Sequence, residues 1–258
     1  MIDRITGFKV SQWAAEGEVR KKQIHDEYEK AKNSGIAGVQ YISALRASAN
    51  LINTAVKTSK YIEPGKINEI EIDNDFFWNT IEHSKNVSNE EMQELIAKII
   101  AGEYNASGIY SMSTLQVVKM LGKLELELFE KICSLLVSEE QIPQKLFSLL
   151  SDERNFMNEL QIDFGSLQTL QSLGLFLPNE MRRSANNLEK KNYRITYFDK
   201  NILFAPENEN VSTIEIPNFF GLSVVGKQIL KHINPQYKEK YFAWLNENYK
   251  IPGYKIIK

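Results

Sequence analysis

The stretch from Ser88 to Glu103, SNEEMQELIAKIIAGE, constrains the fold of this chain most strongly, because its local signals all predict one helix. Ser88 and Glu91 have the spacing of a capping box, in which each side chain accepts a hydrogen bond from the other residue's backbone amide. Apolar residues then recur at the spacing of one buried helix face: Met92, Leu95, Ile96, Ile99 and Ile100. We predict that Gly102 ends this helix in a left-handed cap.

Short helices on both sides of this stretch predict a compact central bundle. A run of aromatic residues before it, FFW at 76–78, predicts a helix capped by Asn74 or Asp75. After it, Ser111 or Ser113 can cap a second helix, and the spacing of apolar residues predicts a third further on. Four short helices joined by loops of a few residues form a bundle.

The first part of the chain predicts two helices of different character. Residues 10–32 are charged throughout and have only a thin apolar stripe, so this helix either pairs with another helix or is a solvated arm. Residues 39–61 are rich in Ala and Ser and have an apolar face, which favours core or dimer packing. Arg46 and Asn50 in that segment argue against a membrane span.

The last third of the chain resembles a winged-helix arrangement. A helix ends in the LGL turn at 173–175, a β-hairpin turns at Asp199–Asn201, and the LSVVG sequence at 222–226 opens another helix. Many winged-helix domains share this order of helix, hairpin wing and helix. The polar segment between the turn and the hairpin, residues 179–192, reads as a loop or a short helix.

These patterns together predict a mainly α protein with three parts. Residues 1–66 form a helical N-terminal region, residues 67–138 form the central helical bundle, and residues 139–258 form a winged-helix-like α+β module. Pro64-Gly65 marks the first boundary, since Pro and Gly interrupt regular structure.

Two surfaces are candidates for binding. One is a cluster of basic residues that would contact DNA if the winged-helix-like module binds it: Arg182, Arg183, Lys190, Lys191 and Arg194. The module is nearly neutral by count, so packing or protein contact is the competing interpretation. The other is the loop that follows Glu103, which neither capping nor core formation explains. We expect a partner to contact Tyr104, Tyr110 or Ser111 there.

Several kinds of chemistry have no signal in the sequence. There is no glycine-rich phosphate loop, and the three histidines lie far apart and outside metal-binding motifs, so we predict no catalytic residue, cofactor or metal. The net charge of −2 gives no strong attraction to nucleic acid or membranes. Cys133 is the only cysteine, which excludes an intrachain disulfide and favours a cytoplasmic location. No apolar run approaches the roughly 20 residues of a spanning helix.

The central stretch resembles an uncharacterised bacterial domain-of-unknown-function family. That family's pattern contains S-D/N-E-E-M-Q-E-L-W-A-K-I-L-A-G-E, which this chain matches at 88–103, and ELFEKIC at 127–133 and LSVVGKQIL at 222–230 look like its later parts. The chain departs at Ile96, where the family has Trp, and at Ser113, where it has Arg. The central motif is also similar to the Abi-alpha proteins linked to abortive infection. The resemblance implies a bacterial protein encoded near phage-defence or mobile genes, and it implies no reaction.

Two functions are consistent with these patterns. The first is a non-enzymatic interaction protein of phage defence, which binds a protein partner or a second copy of itself through the N-terminal helices. The second is a winged-helix DNA-binding regulator. An enzyme with an unrecognised site is the less favoured reading, because the acidic residues mostly fit helix capping and solvation.

Overall fold

The structure is a computed structural model that describes residues 17–31, 35–63, 72–147, 151–186, 192–208, 211 and 213–257. The chain divides into two units, the first ending at Lys123 and the second beginning at Leu124. The described helices of the first unit are α1 (Gly17–Ala31), α2 (Gly35–Ser59), α3 (Asn74–Asn86), α4 (Glu90–Asn105) and α5 (Met112–Met120). The three domains predicted from the sequence stay a prediction.

The second unit contains both helices and strands. Its helices are α6 (Lys123–Cys133), which begins at the boundary, then α7 (Ser151–Glu159), α8 (Phe164–Ser172), α9 (Val224–Leu230) and α10 (Glu239–Asn248), with a 3-10 helix at Gln144–Phe147. Its strands are β1 (Gln141–Pro143), β2 (Met181–Asn186), β3 (Tyr193–Tyr197), β4 (Lys200–Pro206), β5 (Thr213–Gly221) and β6 (Tyr254–Ile257). They form two antiparallel sheets, ordered β1-β5-β2 and β3-β4-β6.

The prediction of a mainly α protein is wrong. The fold is mixed α+β: 58% of the described residues are helical and 17% are in strands, and the strands form two small antiparallel sheets. Strand β2 comes from the polar segment that reads as a loop or short helix, and pairing with β5 decides its conformation. Pro143 lies in β1, an edge strand where its missing N–H is tolerated.

The predicted β-hairpin is present in the second unit. Strands β3 and β4 pair from Tyr193 with Phe204 to Tyr197 with Lys200, so the loop is Phe198–Asp199, one residue before the predicted turn. Strand β6 then pairs with β4 and completes a sheet separate from the one that contains β2. A hairpin expected to be a wing is therefore part of a second sheet.

Helix α2 lies at the centre of the first unit and packs against α1, α3 and α4. Its buried residues include Ile52 and Thr58, at 2% and 1% exposure. Helix α1 approaches closely at Gly17, where a Cβ atom would lie 2.7 Å from Cγ2 of Val56. Helix α1 therefore packs against α2 within the chain.

The capping box predicted at Ser88 is one residue from the cap that forms. Asn89 caps α4, because its side-chain oxygen accepts a hydrogen bond from the Met92 amide at 3.0 Å. The Ser88 hydroxyl accepts hydrogen bonds from Arg46 Nε at 3.0 Å and Asn50 Nδ2 at 3.2 Å. Two polar residues of α2 therefore hold the segment that leads into α4.

The neighbouring caps follow the same local rule with small shifts. Asp73 caps α3 by accepting a hydrogen bond from the Phe76 amide at 2.7 Å, so the cap lies one residue before the predicted pair of candidates. Ser111 caps α5, as one of the two sequence alternatives predicts. A short polar side chain at the first position satisfies amides that have no partner inside the helix.

Candidate functional site

The loop between α4 and α5 is held by a buried carboxylate. Glu103 is 4% exposed and accepts hydrogen bonds from the backbone amides of Gly108 at 2.7 Å and Tyr110 at 2.6 Å. Hydrogen bonds to an ionised acceptor are stronger than neutral ones, so this side chain fixes the loop onto α4. Gly108 has a φ of +82°, a conformation that favours glycine.

Gly102 lies inside α4 and does not form the predicted left-handed cap, because the helix continues to Asn105. Glycine at this position instead allows the Tyr110 ring to approach the helix, since a Cβ atom there would lie 2.7 Å from Cε2 of Tyr110. Burial, and then the charge of Glu103, raise the pKa of Tyr110 to about 12. The Tyr110 ring is therefore neutral at physiological pH and packs directly on the helix backbone.

Of the three residues predicted to contact a partner through this loop, the two tyrosines are buried in the first unit. Tyr104 is 2% exposed and Tyr110 is 8% exposed. The Ser111 hydroxyl accepts a hydrogen bond from the Thr114 amide at 3.2 Å as the cap of α5. The loop's exposed apolar side chain is Ile109, at 43%. An interaction role for Tyr104, Tyr110 and Ser111 stays a prediction, and a partner would meet Ile109 first.

The LGL and LSVVG sequences of the second unit contact each other. The Ser223 amide donates a hydrogen bond to the Leu175 carbonyl at 3.0 Å, and the Ser223 hydroxyl donates to the Gly174 carbonyl at 2.6 Å. The same hydroxyl caps α9 by accepting from the Gly226 amide at 2.9 Å. A Cβ atom at Gly226 would lie 2.0 Å from the Leu175 carbonyl oxygen. The two sequences therefore form one junction between the end of α8 and the start of α9, and this contact accounts for Ser223 and Gly226.

The two arginines of β2 are paired with carboxylates. Arg182 Nη2 lies 2.6 Å from Glu215 Oε2, and Arg183 Nη2 lies 3.0 Å from Glu140 Oε1. Arg183 also stacks over Phe219, with its guanidinium carbon 5.5 Å from the ring centroid. Sequence reasoning found the arginines but missed both carboxylates, because no local signal links residues so far apart in the chain.

Glu140 binds a second cation, Lys227 of α9. Hydrogen bonds from Lys227 and then from Arg183 hold the pKa of this carboxyl below its usual range, so it is charged at neutral pH. Arg194 is exposed on β3, in the other sheet, and Lys190 and Lys191 lie outside the described residues. The described members of the predicted basic cluster are thus distributed over two sheets.

Helix α8 presents an uncharged face. Its sequence, FGSLQTLQS, contains no acidic or basic residue, and its exposed polar positions include Gln168 and Thr169. Phe164 at its start is 44% exposed, and its ring centroid lies 5.9 Å from that of Phe147 and 6.0 Å from that of Phe220. The apolar contacts of this helix therefore extend to the surface of the unit.

The family described as "Protein of unknown function (DUF2806)" matches residues 43–246, well over half of the chain. The chain belongs to this family. The DUF2806 match covers most of both units and confirms the resemblance to a family of unknown function, while the likeness to Abi-alpha proteins stays a prediction. Neither the curated proteins nor the solved structures contain a match to this chain.

The described part of this DUF2806 chain offers few sites for metal or thiol chemistry. Its His, Cys, Asp and Glu side chains form no group of three that could hold a metal ion. Burial raises the pKa of the Cys133 thiol well above its ordinary value, and the residue is 2% exposed. None of the helices in the described ranges has both the length and the apolar character needed to cross a membrane.

Proposed function

We propose that this DUF2806 protein acts through protein–protein contact and not as an enzyme, with a second unit that is a winged-helix module adapted to contact protein. The order of elements supports this proposal: α6, β1, α7, α8 and β2 follow one another, and β5, which comes after the β3–β4 hairpin, lies between β1 and β2 in the sheet. In the related helix-turn-helix motif, the second helix of a pair enters the major groove of DNA. Helix α8 follows α7 in the chain and therefore corresponds to the second helix of that pair.

The uncharged surface of α8 favours a protein, rather than DNA, as the partner of the second unit. Binding to DNA depends on Lys and Arg side chains that neutralise phosphates. Helix α8 supplies none, and the two arginines of the neighbouring β2 already bind Glu215 and Glu140. An exposed aromatic residue, Phe164, instead favours contact with an apolar protein surface.

The alternative is a winged-helix DNA-binding regulator, which the same topology and the exposed Arg194 favour. We expect the full chain to leave a labelled DNA duplex unshifted at about 50 mM salt, where counterion release makes non-specific binding strong. A gel shift or fluorescence anisotropy titration measures this. A shift that weakens with added salt and is lost on changing Arg182, Arg183 and Arg194 to Glu would favour the DNA-binding alternative.

Self-association through the N-terminal helices is the second part of the proposal. Helices α1 and α2 form a hairpin in which Tyr41 of α2 donates a hydrogen bond to Glu27 of α1 at 2.6 Å. Close to this contact, Val39 is 66% exposed, Tyr41 is 47% exposed and Tyr28 is 36% exposed. Exposed apolar side chains grouped at this part of the hairpin suit burial against a second copy.

We expect the chain to form a multimer in solution and the substitution Val39→Glu to reduce its mass to that of a monomer, because an unpaired carboxylate is costly to bury. Light scattering after size exclusion measures the mass. Gln23→Glu is the matched control, since it adds the same charge at an exposed position of α1. A monomeric parent chain, or a multimer that Val39→Glu leaves unchanged, would refute self-association through this hairpin. Truncation is a poorer test, because α2 supplies core residues such as Ile52.

A role in phage defence and a cytoplasmic location belong to the same proposal. The first rests on the resemblance of the central motif to Abi-alpha proteins. The second rests on the single cysteine, Cys133, which is buried in α6 as a small apolar residue. Both would place the proposed protein contacts inside a bacterial cell.

A further inference from the structure

A cleft of about 460 Å³ opens on the second unit, in the size range of small-molecule sites. Cys133 and Leu136 contribute from the end of α6, Thr196 and Phe198 from the end of β3, and Leu230 and Pro235 from the end of α9 and the segment after it. The remaining lining residue is Glu139, which is the one charged group among them. Neither the predicted DNA surface nor the N-terminal hairpin uses this cleft.

Glu139 is placed on the cleft by an unfavourable turn. Val137 accepts a hydrogen bond from the Glu140 amide at 3.3 Å, and the two residues between them, Ser138 and Glu139, have φ values of +48° and +69°. A turn with positive φ at both central positions strongly favours Asn and Gly. The Ser138 amide donates to the Thr196 carbonyl at 2.8 Å, which joins this turn to the end of β3.

Phe198 lines the same cleft from another turn, which has a positive φ at one of its two central positions. It is the first residue of the two-residue loop between β3 and β4 and has a φ of +52°. A bulky residue with positive φ is an outlier, and glycine is the usual residue where a hairpin loop requires it. The side chain is nevertheless 47% exposed. Burial of the Phe198 ring in the core therefore does not account for its presence in this conformation.

The two strained turns point to a role for their side chains. Within the described ranges, four non-glycine residues have positive φ, and three of them are Ser138, Glu139 and Phe198. Backbone strain of this kind persists where the surrounding structure enforces it, and it is concentrated at ligand sites. We propose that this cleft binds a small organic cation, an amine or quaternary ammonium with an apolar body.

The chemistry of the lining selects that class of ligand. Within the described part of the chain Glu139 forms no ion pair. The adjacent Glu140, by contrast, binds Arg183 and Lys227. Phe198 lines the same cleft, and the face of an aromatic ring attracts positive charge through its quadrupole. The leucine, proline and cysteine side chains of the cleft suit an apolar body.

Benzylammonium and benzyl alcohol are matched probes, because they share a shape and differ in charge. We expect benzylammonium to bind the full chain with a Kd on the order of 1 mM, as a ligand of few atoms allows. Benzyl alcohol should bind at least about tenfold more weakly, since it lacks the charge-assisted hydrogen bond. Titration followed by amide NMR shifts measures both affinities and locates the site.

Three variants separate ligand binding from a structural role. Glu139→Gln should remove the preference for the cation, while Glu247→Gln, which removes an exposed carboxylate of α10, should leave it unchanged. Glu139→Gly should also abolish the preference and should leave the thermal midpoint equal or higher, because glycine relieves the strain. Equal binding of both probes, no saturable binding of benzylammonium, an unchanged preference in Glu139→Gln, or a lower midpoint in Glu139→Gly would overturn the proposal.

Discussion

Gly226→Ala is expected to lower the free energy of unfolding of the second unit by about 3 kcal/mol, the upper part of the usual range for overpacking. The added methyl group would lie 2.0 Å from the Leu175 carbonyl oxygen, which is a backbone atom and cannot rotate away. Moving it would also disturb the hydrogen bond from the Ser223 amide to that oxygen. For a chain of this size the loss corresponds to a drop of roughly 6–12 °C in the thermal midpoint.

Gly165→Ala is the matched control for this prediction, because it makes the same change in another helix of the same unit. A Cβ atom at Gly165 would meet a flexible side-chain oxygen of Asp163 at 3.4 Å, an ordinary contact. Alanine also favours the helix over glycine by up to about 1 kcal/mol, so this variant should be as stable as the parent or slightly more so. Calorimetry measures the thermal midpoints of both variants. Equal midpoints would show that the junction around Gly226 accommodates a side chain.

The LGL and LSVVG sequences illustrate how far a motif can be interpreted from sequence. Their spacing and order are visible in the chain and predict a helix end and a helix start, and both are present. That Ser223 binds the carbonyls of Gly174 and Leu175 is a tertiary contact between residues 49 and 48 positions apart. No periodicity or propensity encodes a contact at that separation, so the reason for Gly226 becomes clear only in the structure.

The helices were predictable and the sheets only partly so, for a physical reason. Helical hydrogen bonds join residues four apart, so the apolar spacing in α4 and the cap at Ser111 are local signals. Strand β2 depends on pairing with β5, about 30 residues away, and its exposed arginines give no alternation of apolar and polar residues. The mainly α prediction failed because such strands are stabilised by distant partners.

The candidate binding residues show the same limit. A run of basic residues is visible in the sequence, but Arg182 and Arg183 bind Glu215 and Glu140, which are 33 and 43 residues away. Charge that looks available in the sequence is thus used within the fold. The cleft around Glu139 had no sequence signal at all, because Glu and Phe in strained turns are recognised only from backbone angles.

Glu103→Ala is the prediction with the largest expected effect in the first unit, a loss of about 3 kcal/mol of unfolding free energy. The substitution removes the acceptor of two hydrogen bonds, one of which comes from the buried backbone amide of Tyr110. An unsatisfied buried amide costs roughly 1–3 kcal/mol, and hydrogen bonds to charged groups contribute about 1.5–3 kcal/mol each. Denaturant unfolding, with a probe in the first unit, measures the change.

Two further variants test whether the acceptor itself matters. Glu103→Gln keeps one oxygen that can accept from either amide, so it should recover about half of the loss. Glu90→Ala removes a glutamate of the same helix that is 87% exposed and lies 3.7 Å from Lys57. Exposed ion pairs contribute little, so this variant should lose less than about 1 kcal/mol of unfolding free energy. If Glu103→Ala proved as mild as Glu90→Ala, the loop would not depend on its carboxylate anchor. A large loss would instead show that Glu103 holds the loop in place, which leaves Ile109 as the loop's exposed apolar side chain for a partner.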